Sequence, residues 1–113
     1  MPFFFLLALV ACTKKAAPVA SEMTEAQLIE RGAAIYKLNC IACHNPDPAI
    51  DGALGPAVVG SSLELLEERI MRAQYPKDYR PKKDTRQMVP MPHMQNEIPA
   101  LKAFLNKGPG AYQ

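Results

Sequence analysis

The chain has 113 residues, 49% of them hydrophobic and 21% charged, with a formal net charge of +2. That length allows one small domain, the hydrophobic share excludes a disordered polar chain, and the charge is too small to argue for nucleic acid as a partner. Eleven prolines favour short helices joined by ordered loops over long regular elements.

The chain opens on an uninterrupted apolar run, Phe3 to Ala11. It is too short to span a bilayer as a helix and suits the core of a signal peptide, although no Lys or Arg precedes it. Residues 1–11 are therefore expected to be a signal peptide. Leu9-Val10-Ala11-Cys12 resembles a bacterial lipobox, in which the Cys is diacylated and becomes the first residue of the mature chain. The competing reading is an ordinary signal peptide with Cys12 incidental. Several acyl chains anchor firmly where one does not. A lipidated Cys12 would thus tie the protein to a membrane in the bacterial periplasmic space. Thr13 to Glu22 is small, polar and aperiodic, so residues 12–22 read as the lipidated Cys and a flexible linker. Pro18 breaks any continuation as helix.

The remaining segment, 23–113, is the expected domain. Thr24 with Gln27 three residues on forms a capping box, and Leu28, Gly32, Ile35 and Tyr36 recur at helical spacing. A first helix is expected from about Thr24 to Leu38 or Asn39. Gly32 costs about 1 kcal/mol against Ala in a helix, so its place on the apolar stripe points to another backbone passing close by. Asn45 to Gly60 reads as loop, punctuated by Pro46, Pro48, Gly52, Gly55, Pro56 and Gly60. A second helix is expected from Ser61, with Glu64 completing a box and Leu63, Leu66, Ile70 and Ala73 on its buried face. Tyr75-Pro76 should end it, because the residue before a proline leaves the helical region. Residues 76–97 show no period and read as a long ordered loop, of the kind that carries function. A last helix is expected from about Glu97 to Asn106, with Ile98, Leu101, Phe104 and Leu105 on one face, Pro99 in its first turn and Gly108 as its stop. No segment alternates as a strand would, so the fold class is all-α.

Between the first helix and the first loop lies Cys40-Ile41-Ala42-Cys43-His44. Two thiols spaced C-x-x-C with a His directly after the second are what covalent attachment of a c-type haem requires. In such an attachment each thiol would add across one vinyl group, and His44 would be an axial ligand of the iron. Ligation needs a neutral ring whose other nitrogen is hydrogen-bonded; the Gly55-Pro56 backbone is a candidate acceptor. A thioredoxin-like dithiol would require a βαβ setting that this chain lacks. Zinc wants four ligands, and only Cys40, Cys43, His44 and His93 would be on offer, at spacings unlike a zinc finger. With Cys12 lipidated, both remaining cysteines belong to the haem motif, and none is left for a disulfide.

Taken together, the N-terminal helix, C-x-x-C-H just after it, a following Gly-Pro, a methionine-bearing loop and a C-terminal helix resemble a class I, mono-haem c-type cytochrome, here in a bacterial lipoprotein form. The resemblance covers roughly residues 23–107. It implies a small all-α fold of three main helices around one covalent haem c. The first and last helices should cross closely, Gly32 and Tyr36 against Leu101 and Phe104. It also implies a methionine as sixth iron ligand. Met88, Met91 and Met94 lie in the proline-rich loop. Counting back from the last helix favours Met88, followed by Val89-Pro90. Met91, directly followed by Pro92, is the alternative, and His93 a remote one. The methionines that do not ligate would fill the apolar pocket.

The implied role is electron transfer between periplasmic redox partners, with iron cycling between Fe(II) and Fe(III), no catalytic residues and no small-molecule substrate. The alternative is the haem subunit of a larger membrane-associated oxidoreductase, which the same sequence would serve. A gas sensor or enzyme would need an open iron site, which three candidate methionines disfavour. Lys77, Arg80, Lys82, Lys83 and Arg86, diluted by Asp78 and Asp84, are either solvated loop surface or a patch that steers acidic partners. Tyr79 and Arg80 are candidate contacts for the haem carboxylates.

Overall fold

The structure, a computed structural model, describes residues 19–107 and Tyr112. The expected signal peptide, Cys12, most of the linker and the Gly108 stop lie outside the described residues. Within the linker, Ala20–Glu22 form one 3-10 turn where an aperiodic tether was expected. No helix among the described residues is long and apolar enough to cross a membrane.

The first helix, α1, spans Glu25–Asn39 and starts on the expected box: Thr24 Oγ1 accepts from the Gln27 N–H, and the Gln27 side chain accepts from the Thr24 N–H. Its buried residues are Gly32 and Tyr36. The last helix, α3, spans Ile98–Leu105, carries Pro99 in its first turn and buries Ile98, Ala100, Leu101, Phe104 and Leu105. The two helices pack on each other more extensively than any other pair of elements. Gly32 is the reason they approach so closely: a Cβ there would lie 2.0 Å from the Ala100 carbonyl oxygen and 2.7 Å from the Phe104 Cβ. One turn on, the Tyr36 and Phe104 rings meet with centroids 5.5 Å apart. Arg31 of α1 also clamps Glu97, the residue before α3, with Nε donating to Oε2 at 2.7 Å.

The middle helix departs from expectation at both ends. It runs Leu63–Arg72 as α2, starting later than expected because its cap lies one residue on: Ser62, not Ser61, accepts from the Leu65 N–H. Ser61 is instead buried, its hydroxyl donating to the Val58 carbonyl. The shift leaves Leu63 exposed and Leu66 and Ile70 buried. The helix stops at Ala73, in the left-handed region at φ 55°, whose N–H bonds back to Arg69 and Glu68; Gln74 also reaches the Glu68 carbonyl. This is a Schellman-type close, reached before Tyr75-Pro76 could act, and Ala73 is only partly buried. The long loop is also shorter than expected, because its end, Pro92–Glu97, coils into a 3-10 helix that leads into α3. No strand occurs among the described residues, so the fold is all-helical.

Candidate functional site

The C-x-x-C-H run begins where α1 ends. Cys40 caps the helix, its N–H still bonded to the Tyr36 carbonyl, and its own carbonyl accepts from both Cys43 and His44. The motif is therefore a tight turn rigidly continuous with the helix, and both thiols are free. Burial, reinforced by the neighbouring Cys43, pushes the Cys40 thiol up to about 11, so it stays protonated at neutral pH. The chain leaving the motif is held by Tyr36, whose hydroxyl donates to the Asn45 carbonyl at 2.5 Å. Burial, with smaller contributions from Cys40 and Asp47, raises the Tyr36 phenol, which keeps it a donor.

The His44 ring is fixed as expected. Its Nδ1 lies 2.8 Å from the Pro56 carbonyl oxygen. That contact assigns the ring proton to Nδ1 and leaves the Nε2 lone pair for a metal. Gly55 lies flat against the imidazole: a Cβ there would come within 2.5 Å of Cε1 and 2.6 Å of Nδ1. Gly52 is as tightly placed, with a virtual Cβ 2.2 Å from the Cys43 carbonyl oxygen. The loop thus folds back on the motif as a close-fitting cradle.

Cys40, Cys43 and His44 open onto a cleft whose wall includes Leu66, Ile70, Leu101 and Leu105 of the helical core. Met88, Met91 and Met94 all line it from the opposite segment. Met94 is buried, while Met88 and Met91 are half-buried against the core. The methionine segment is pinned to α2, because the Met91 N–H donates to the Ile70 carbonyl at 2.7 Å. His93 is exposed and does not line the cleft. Among the described residues, no group of three or more His, Cys, Asp or Glu side chains is placed to hold a metal ion, so the zinc alternative has no ligand set there.

The cleft's charges also fit a haem. Arg69 and Lys82 line it, and no Asp or Glu does among the described residues. A haem carries two carboxylates at the ring edge away from its vinyl groups, and two cations are their complement. Arg69 is pre-set for this. Its guanidinium lies 4.1 Å over the Tyr75 ring, Tyr75 stacks on Tyr79 at 5.4 Å and 9°, and Nη1 donates to the Ala73 carbonyl. Tyr79 was legible as a cleft residue; Arg80 is exposed and lies outside the lining. Arg69 and Tyr75 were missed. The available signal was the position of Arg69 beside the buried Ile70 in the last turn of α2. A larger hollow of about 840 Å³ lies between the 19–23 segment, α2 and the start of α3, but no Cys or His lines it.

A helical shell that leaves an apolar cleft beside paired thiols and an oriented imidazole is built to hold a haem and pass electrons through it. The cytochrome c family model matches residues 29–108, and the chain belongs to the cytochrome c family. It is accordingly a haem-based electron-transfer protein of the c type, with covalently bound haem c. No curated protein shows significant similarity to the chain.

Proposed function

We propose that the protein carries a single haem c, bound through thioethers to Cys40 and Cys43. His44 Nε2 would be the proximal iron ligand and the Met88 sulfur the distal one, with Met91 as the alternative. The observation that carries this reading is the His44–Pro56 contact at 2.8 Å on the rim that bears both thiols. When bound, the haem supplies one-electron exchange between Fe(II) and Fe(III). The chain's residues then have simple duties. The thiols fix one edge of the porphyrin. Leu66, Ile70, Leu101 and Leu105 exclude water. Arg69 and Lys82 neutralise the carboxylates, and a soft thioether favours the reduced iron.

The protein's proposed place is the bacterial periplasmic space, held to a membrane by lipidated Cys12, where it passes electrons between redox partner proteins. The support for this is the Leu9–Cys12 sequence and the size of the apolar run before it. The alternative role, a haem subunit within a larger membrane-associated oxidoreductase, draws on Leu38, Ile41 and Ile50. These apolar side chains are exposed around the motif and could be covered by a second chain. Stable co-purification with a catalytic chain would favour it over the mobile carrier.

Maturation in an export-competent host, followed by a reduced-minus-oxidised spectrum and mass measurement, tests the core of the proposal. The expected product is coloured and heavier than the chain by one haem; a colourless product of bare polypeptide mass overturns it. Met88→Ala should abolish the near-infrared sulfur-to-iron band and Met91→Ala should retain it. The reverse pattern would assign Met91.

A further inference from the structure

The carbonyl that orients His44 belongs to a residue poorly able to hold itself. Pro56 has no N–H to anchor, and the loop around it, residues 51–57, contains no helix or strand. Within the loop, Gly52 donates to the Gly55 carbonyl and Ala57 donates to Asp51 Oδ1 at 2.8 Å. The Cys43 carbonyl accepts from Leu54 and Gly55, and Asn45 reaches the Asp51 carbonyl at 3.5 Å. The other ties come from a segment about thirty residues on. Lys82 Nζ donates to the Ala57 carbonyl at 3.0 Å, Lys83 Nζ to the Gly52 carbonyl at 3.3 Å, and Thr85 Oγ1 to the Leu54 carbonyl at 3.3 Å. Lys83 also lies 3.8 Å from Asp51 Oδ2. Three side chains within four residues thus each hold a backbone carbonyl of the same loop, on both sides of Pro56. Asp51 links them, since one of its oxygens holds Ala57 and the other faces Lys83.

We infer that the 82–85 segment is a strap that positions the Pro56 carbonyl, and through it the His44 imidazole, so that Lys83 and Thr85 act as positioning residues for the haem iron's electronics. The inference rests on the haem assignment above and adds to it. A ring that donates from Nδ1 is the more basic ligand at Nε2, and a more basic ligand favours Fe(III). Slackening the strap weakens that donation and shifts the balance towards Fe(II). Hydrogen bonding to the ligand is one of the protein's levers on reduction potential.

The test uses the haem-loaded full chain. Lys82 is left intact because it is assigned above to a haem carboxylate, and since Thr85 also lines the cleft, ring-proton exchange is the deciding readout. The variant Lys83→Met/Thr85→Val should exchange the His44 Nδ1 proton about tenfold faster than wild type, as followed by proton NMR of the ferrous protein. Thr85→Val alone, which changes no charge, should also speed that exchange. Lys83→Arg in an otherwise wild-type chain should keep wild-type exchange. Removing the Lys83 charge by itself shifts the potential down without opening the His44–Pro56 contact, so the exchange rate separates bracing from simple electrostatics. A haem-loaded double variant with unchanged ring-proton exchange overturns the strap and leaves the haem assignment standing. A wild-type protein without haem overturns both.

Discussion

At the scale of single residues, the site depends on what is absent as much as on what is present. Gly55 has no side chain because the His44 ring occupies that space: an added Cβ would lie 2.5 Å from Cε1. Gly55→Ala must therefore move either the imidazole or the backbone beside Pro56, and either movement breaks the Nδ1 contact. Loss of such an orienting partner typically costs ten- to a hundredfold in metal affinity. Gly55→Ala should consequently cut the yield of low-spin, His-ligated holoprotein about tenfold, as read by the reduced-minus-oxidised spectrum per mass of protein. Full yield with an unaltered spectrum would show that the loop can give way. That the thiols, the His and the Gly-Pro acceptor come together was legible because the chemistry they suit dictates residue type at close spacing along the chain. Arg69 was not legible, because its role comes from a helix terminating beside the cleft, which local sequence does not reveal.

At the scale of elements, the α1–α3 crossing is the contact most sensitive to a single methyl group. Replacing Gly32 with Ala gains about 1 kcal/mol of helix propensity. It also places a Cβ 2.0 Å from the Ala100 carbonyl oxygen, with backbone on both sides and no flexible side chain to yield. Overpacking of that kind costs about 1–3 kcal/mol, and forced separation of two helices belongs at the upper end. Gly32→Ala should therefore lower the melting temperature of the holoprotein by about 5–15 °C; an unchanged or raised value would show that the helices slide apart freely. The Arg31–Glu97 clamp at the same crossing has a pH signature. Hydrogen bonding from Arg31 holds the Glu97 carboxyl below its ordinary 4.5, opposed by a smaller effect of burial. A carboxyl depressed in the folded state contributes stability above its unfolded value and loses it as pH falls through its folded value. Arg31 is half exposed, which limits the pair to about 0.5 kcal/mol. Denaturant titrations of Glu97→Gln against wild type should show that gap at pH 7 and none well below pH 4. A gap that persists in acid would indicate lost packing in place of lost charge. Helical spacing put Gly32 on the apolar stripe and so made a close backbone legible, while its partner, the last helix with Leu101 and Phe104, was implied by the resemblance to c-type cytochromes. The exact cap of α2 was not legible, since Ser61 and Ser62 offer the same chemistry. Only the burial of Ser61 against the 58–60 turn decides between them.

At the scale of the whole molecule, the core and the cleft are nearly the same object. Tyr36, Leu66, Ile70, Met94, Leu101 and Leu105 belong to both, so a haem seated there as proposed would complete the core of a domain too small to be robust without such a staple. Redox partners then meet the outer surface around the cleft. A docking role for charge at that surface is a proposal that the sequence supports. Lys77, Arg80, Lys82, Lys83 and Arg86 outnumber Asp78 and Asp84 in one loop of a chain whose total is only +2, so the remainder is net negative. Lys82, Thr85 and Gln87 of that loop line the cleft itself, and Lys77, Arg80 and Arg86 are exposed beside it in sequence. A basic loop that borders the cleft through Lys82, on an otherwise weakly negative chain, would orient the molecule in the field of an acidic partner before contact. The second-order rate of electron transfer to an acidic redox protein should then fall about tenfold or more between low salt and 0.5 M salt, where screening acts over a few ångströms. Replacing Lys77, Arg80 and Arg86 with Gln should remove most of the salt dependence and lower the reduction potential only slightly, because all three are exposed and their charges are screened by solvent. A rate indifferent to salt in the wild-type protein would mean that docking is governed by the exposed apolar side chains around the motif, Leu38, Ile41 and Ile50. Substituting those three with Ser would then be the change that slows transfer.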